Sequence, residues 1–236
     1  MTEVTQMIKK ADIQLSAIKS AILFVIFLIY TDLVCLIDVE PIGPMRTKVG
    51  FAAINRFFIN TIGVHAIFYT ITDFLAAMSI LVMLFFASMG MYQLIVRKSL
   101  KKIDIQLYAM AIFYVAMIAF YCIFEVVIIN YRPILVNDAL EASYPSSHTM
   151  LVVCVISTAL IEAKRLIKNK TVRNIIIIFG ILIILLAVVG RLFAGVHWFT
   201  DILGSLFLSE FLIYFYHMVS LILTYFKHKK ESKISN

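Results

Sequence analysis

Two arginines, two histidines, two adjacent serines and an aspartate interrupt the apolar second half of this chain: Arg132, Ser146, Ser147, His148, Arg191, His197 and Asp201. Guanidinium groups carry forked donors that match phosphate oxygens. Ser146 and Ser147 add donors just before a hydrophobic run that opens at Thr149. The free amides and partial positive charge of a helix start there favour the same anion. A set of this kind is expected to bind a phosphate. Two histidines can then divide the chemistry, one attacking phosphorus and the other protonating the leaving oxygen. His197 and Asp201 are spaced i, i+4, so they share one helix face. The carboxylate can accept a hydrogen bond from one ring nitrogen and leave the other free to attack. No carboxylate cluster suits Mg²⁺ and no His/Cys set suits Zn²⁺. The expected reaction needs neither metal nor cofactor.

Residues this far apart in sequence need rigid elements to gather them. The 236 residues are 62% hydrophobic and 15% charged, and the mean hydropathy is +0.98. Ordinary soluble domains are about 45–50% apolar and about 25% charged. A bilayer core of ~30 Å takes about 20 mostly apolar residues per helix. Six stretches read as such spans: Ser20 to Leu36, Ile71 to Ile95, Leu107 to Ile129, Thr149 to Leu166, Ile175 to Phe193 and Ile202 to Phe226. The expected fold is all-α, a six-helix membrane bundle forming one domain over 1–236, with its motif-bearing core at about 105–226. Between spans one and two, Phe51, Ile54, Phe57 and Phe58 recur at helical spacing beside Arg56. An interfacial amphipathic helix is expected there.

Charge sets the orientation. Lys9, Lys10 and Lys19 precede span one; Arg97, Lys98, Lys101 and Lys102 follow span two; Lys164, Arg165, Lys168, Lys170 and Arg173 link spans four and five; Lys227, Lys229, Lys230 and Lys233 follow span six. Six spans put all four segments on one side, which the positive-inside rule assigns to the cytoplasm. The termini are then cytoplasmic and the phosphate-binding set faces outward, in a multi-pass protein of the cytoplasmic membrane. The net charge of +7 is a topology signal, and no nucleic-acid module accompanies it. Cys35, Cys122 and Cys154 lie in or beside apolar runs without metal-ligand spacing. The polar, partly acidic N-terminus is unlike a cleaved signal, so the first span is expected to remain as an anchor. Asp32, Asp73 and Glu210, within or near spans, call for partners.

At the polar residues the chain resembles the type-2 phosphatidic acid phosphatase superfamily, which also includes the vanadium haloperoxidases. That family's pattern is K-x6-R-P, then P-S-G-H, then S-R-x5-H-x3-D. Here the three parts read EVVIINYRP (Glu125 to Pro133), PSSH (Pro145 to His148) and GRLFAGVHWFTD (Gly190 to Asp201). The resemblance implies a lipid phosphatase acting through a phosphohistidine. It makes His197 the nucleophile, Asp201 its support and His148 the general acid. Arg132, Arg191, Ser146 and the amide of Ser147 then hold the phosphate oxygens. Three positions depart from the pattern: Glu125 stands for lysine, Ser147 for glycine and Gly190 for serine. Glu125 lowers the positive charge of the site and is expected to pair with Arg132 or Arg191, or to contact a different head group. The expected substrates are an isoprenoid diphosphate such as undecaprenyl diphosphate, favoured by the outward site, or phosphatidic acid or phosphatidylglycerol phosphate. Transfer of the phosphoryl group to another acceptor, or lipid-phosphate binding with weak catalysis, are the competing readings.

Overall fold

The computed structural model describes residues 3–136 and 138–234. Residues 1, 2, 137, 235 and 236, which fall within the expected single domain, lie outside the described residues. The helices are α1 (Glu3–Leu36), α2 (Ala52–Ile62), α3 (Ala66–Arg97), α4 (Ile105–Val126), α5 (Ser147–Leu166), α6 (Lys170–Ala194) and α7 (Phe199–Ile234). Among the described residues there is no strand beyond isolated bridges such as Tyr131 with Ala142. The helices overrun the apolar runs. α1 begins well before Ser20 and α7 runs past Phe226, because Lys, Gln and Glu propagate a helix as well as most apolar residues do.

Among the described residues, five helices are long and apolar enough to cross a membrane: α1, α3, α4, α6 and α7. Large apolar side chains such as Ile22, Leu81, Val115 and Ile178 are exposed along them, as expected where lipid replaces water. The chain is a multi-pass membrane protein. α5, expected as the fourth span, falls short of that apolarity. It carries Ser147, His148, Ser157, Thr158, Glu162, Lys164 and Arg165 within 20 residues. It can carry them because it packs on α3, α4, α6 and α7 and buries Val152, Val153, Cys154 and Val155 among them.

Helix starts explain how α5, α6 and α7 are set at this end and the other. Asn169 Oδ1 accepts from the Thr171 and Val172 amides at 3.0 and 3.1 Å and caps α6. α6 stops at Gly195, whose φ of 68° is left-handed; a Cβ there would lie 2.8 Å from the Gly63 carbonyl. At the head of α7, Asp201 reaches back to the Trp198 amide at 2.9 Å. Asn55 of α2 accepts from the Thr200 amide at 3.2 Å, and Phe58 stacks on Phe199 with ring centroids 4.1 Å apart. A helix therefore does form between the first two spans, and its contacts fasten it to the start of α7. α1 lies along α7. Its Tyr30 hydroxyl donates to the Thr200 carbonyl at 3.0 Å, and Thr31 shares a hydrogen bond with Tyr144 at 2.7 Å.

Candidate active site

Four chain segments meet at one end of the bundle: the α4–α5 connection with Arg132, the start of α5 with Ser146 to His148, the last turn of α6 with Arg191, and the α6–α7 turn with His197. Asp201 sits in the first turn of α7. The basic residues at the far ends of α3, α5 and α7 are therefore at the opposite end. Arg191, Asp201 and Ser146 are fully buried, and His197 nearly so.

The i, i+4 spacing does place Asp201 below His197, but the direct hydrogen bond expected between them is absent. Asp201 Oδ2 stands 3.9 Å from His197 Nδ1. The ring N–H instead donates to the Ser143 carbonyl at 3.0 Å. The Asp201 carboxylate accepts from the Ser143 hydroxyl, from Asn130 Nδ2 at 3.0 Å and from the Trp198 amide at 2.9 Å. Asp201 thus fixes the residue that fixes the histidine. With Nδ1 donating, Nε2 carries the lone pair of a neutral ring. Burial holds the His197 pKa well below the ordinary histidine value, and Arg191, Arg132 and His148 push it down further. A neutral imidazole with a free Nε2 is a nucleophile at neutral pH.

The arginines are each held on one side only. Arg191 Nη1 donates to Thr72 Oγ1 and Asp73 Oδ1, both at 2.9 Å, and its guanidinium lies 5.2 Å from the Tyr69 ring centroid. Arg132 pairs with Glu141 at 3.1 Å. Glu125 takes neither arginine: both have other carboxylates. It lies beside Tyr121 and lines a narrow pocket together with Tyr121, Ser143, Ser147 and His197. Among the described residues, the buried side-chain nitrogens without a hydrogen-bond partner in the protein gather in this group: Arg132 Nη1, Arg191 Nε and Nη2, His148 Nδ1 and His197 Nε2. Buried polar groups are ordinarily satisfied; here the free guanidinium N–H groups of Arg132 and Arg191 can receive oxygen acceptors, while Nε2 of His197 offers its lone pair.

His148 Nε2 lies 3.2 Å from Asp73 Oδ1. Burial and then the Arg191 charge lower its pKa to about 4, with Asp73 opposing them and Arg132 adding to the fall. Ser146 and Ser147 differ in use. Ser146 Oγ is the N-cap of α5 and donates to Thr149 Oγ1 at 3.0 Å, so its hydroxyl is already engaged. Ser147 is half-buried and lines both the pocket at His197 and a second, mainly apolar groove. That groove, about 350 Å³, runs between α3, α4 and α5 past Ala76, Ile80, Met83, Met117 and Ile118 to His148.

Sequence reasoning passed over Thr72, Asn130 and Ser143 and left Asp73 without a site. Ser143 precedes the PSSH stretch by only two positions, but its backbone carbonyl has no sequence signature. Asp32 and Glu210, for which partners were expected, are exposed on α1 and α7. Among the described residues no group of three or more His, Cys, Asp or Glu stands together as a metal site.

Residues 126–224 match the family model of the PAP2 superfamily; the match begins one residue past Glu125. The fold is similar to that of a transmembrane PAP2-type phosphatidylglycerolphosphate phosphatase from Bacillus subtilis, with 19% identity, a TM-score of 0.58, and coverage of 89% of this chain and 96% of that one. No curated protein sequence matches the chain significantly.

Proposed function

We propose that this chain, whose residues 126–224 match the PAP2 superfamily model, is a membrane lipid phosphatase that works through a phosphohistidine. The observation that carries the reading is the group of buried, unpartnered nitrogens on Arg132, Arg191, His148 and His197, one of which, His148, ends an apolar groove. A phosphate would satisfy the nitrogens while its lipid tail lies in the groove. In the first step His197 Nε2 forms a bond to phosphorus, the bond from phosphorus to the lipid oxygen breaks, and that oxygen takes the Nδ1 proton of His148, whose imidazolium is favoured once the bound phosphate anion offsets the charges of Arg191 and Arg132. In the second step a water oxygen attacks phosphorus and gives its proton to His148. The N–P bond breaks, its electron pair returns to His197, and inorganic phosphate leaves. Arg132 and Arg191 neutralise the phosphate, the Ser147 amide at the start of α5 adds a donor, and Ser146 keeps that helix end in place. Asp201 supports His197 through Ser143. Two guanidiniums supply the charge that a metal ion supplies elsewhere.

The site faces the extracytoplasmic side on the charge argument, which favours an isoprenoid diphosphate such as undecaprenyl diphosphate; phosphatidic acid and phosphatidylglycerol phosphate are the alternatives. Glu125 faces the same pocket as His197 and would select among head groups. Purified protein in detergent, given each lipid with a chelator present, should release phosphate from at least one, and His197→Ala should release none. A silent parent refutes the hydrolase; an active variant refutes the nucleophile. Phosphate appearing on an added alcohol instead of free in solution would identify a transferase.

A further inference from the structure

Asp73 belongs to none of the three motif stretches, yet one of its oxygens lies between two of the pocket's working groups. Oδ1 is 2.9 Å from Arg191 Nη1 and 3.2 Å from His148 Nε2. Within one turn of α3, Thr72 and Asp73 hold the Nη1 corner of the Arg191 guanidinium and the Tyr69 ring faces its plane. The opposite edge, Nε with Nη2, is the side-on fork that grips two oxygens of one anion, and both of its nitrogens are buried without a protein partner. His148 is arranged likewise: Nε2 is turned to Asp73 and Nδ1 is the atom left over. Asp73 also heads the face of α3 that continues through Ala76, Ile80 and Met83 along the groove. It therefore stands beside the route that a lipid phosphate would take.

We propose that Asp73 is a positioning residue for phosphoryl transfer, which presents the Nε–Nη2 edge of Arg191 to the phosphate and keeps a proton on His148 for the leaving oxygen. This rests on the phosphatase reading above. The charged and titratable groups facing His148 are Arg191 on α6, Arg132 in the α4–α5 connection, His197 in the α6–α7 turn and Asp73 on α3; Tyr121 of α4 lines the groove beside it. Asp73 is the acid among them, and it opposes burial and two guanidiniums. A general acid must hold its proton until the lipid oxygen departs. Without Asp73, His148 would give it up at lower pH.

The test compares the parent chain, Asp73→Asn and Asp73→Glu. The asparagine oxygen can still accept from Arg191 while the charge is gone. Each protein is assayed on the lipid phosphate it hydrolyses best, whose alkoxide is a poor leaving group, and on p-nitrophenyl phosphate, whose phenolate departs with little need of a proton. Asp73→Asn should lower kcat on the lipid about 10–100-fold and on the aryl ester less than about threefold. Its alkaline limb should move to lower pH, and inorganic phosphate should inhibit it at least as tightly as the parent, because an anion has left a phosphate pocket. Asp73→Glu should recover part of the lipid rate. Equal losses on both substrates with weaker phosphate inhibition would reduce Asp73 to a structural ion pair, and no loss on the lipid would overturn the assignment. A parent inactive on both substrates would refute the phosphatase reading itself, and this assignment with it.

Discussion

If Asp201 acts on His197 through Ser143, then removing the Ser143 hydroxyl should resemble removing the Asp201 charge. The geometry makes this specific. His197 Nδ1 is 3.0 Å from the Ser143 carbonyl but 3.9 Å from the carboxylate, and the Ser143 hydroxyl donates to Asp201 Oδ2. Ser143→Ala leaves the accepting carbonyl in place and cuts its tether. A hydrogen bond to a charged group contributes about 1.5–3 kcal/mol, and each 1.4 kcal/mol is about tenfold. Ser143→Ala should therefore lower kcat/KM by about 10–150-fold. Asp201→Asn should cost at least as much, since its amide meets three donors, from Ser143, Asn130 and Trp198, with one acceptor atom. The double variant should be no worse than Asp201→Asn by more than about threefold, the non-additivity expected of residues acting in series. The assay is phosphate release in detergent. Emission from Trp198, the chain's one tryptophan and buried beside the site, shows whether each variant keeps its fold. Ser143→Ala within about threefold of the parent, or losses that multiply in the double variant, would refute the relay and restore direct support of His197 by Asp201.

Further consequences concern pH, packing and specificity. Both His148 and His197 are held below the ordinary histidine pKa, so the unfolded chain binds more protons than the folded one as pH falls below about 6.5. Thermal stability in detergent should be level above that point, decline from there towards pH 4, and decline less in His148→Gln; a stability that rises on acidification would contradict the burial argument. Gly204→Ala would place a Cβ 2.4 Å from the Tyr144 ring, and a side chain that is buried and bonded to Thr31 has little room to yield. A loss of about 1–3 kcal/mol is expected from such overpacking, read as a lower melting temperature with activity declining in parallel. Glu125→Lys restores the family residue at the edge of the His197 pocket, and should alter the order of preference among lipid phosphates more than the rate on p-nitrophenyl phosphate; an unchanged order would make Glu125 a surface carboxylate.

The parts of this molecule that were legible in its sequence are those with local signatures. Apolar runs mark α1, α3, α4, α6 and α7 because lipid contact demands a continuous stretch. The PSSH stretch marks the start of α5, because a capping serine has few other uses before a hydrophobic run. α5 itself exposes the limit of that logic: its hydropathy looks inadequate until the neighbouring helices that bury it are known. Asp73 could be marked as an acid in need of a partner but not assigned to the site, for a related reason. Nothing near it distinguishes it from Asp32, which is also an acid in an apolar run, yet one bridges Arg191 and His148 and the other is exposed. Glu125 was assigned an arginine partner on charge alone, and Glu141 and Asp73 reach those arginines first. The Ser143 carbonyl on His197 is a backbone group, which any residue type would offer.

The burial of α5 has a consequence for how the protein is made. A segment with Glu162, Lys164 and Arg165 in its last turns is a poor substrate for entering a bilayer one helix at a time, because each charge at depth costs several kcal/mol. Its following neighbour α6 begins only a few residues later and is apolar from Ile175 to Val189. The two can enter together as a hairpin, with α3 and α4 already present to receive the polar face. The end of the bundle where Arg132, His148, Arg191 and His197 meet needs α5, α6 and α7 in register, so it is completed only when the last helix has been threaded: a ribosome-bound or truncated chain lacking α7 carries both arginines and both histidines but not Asp201, which anchors the Ser143 that holds His197.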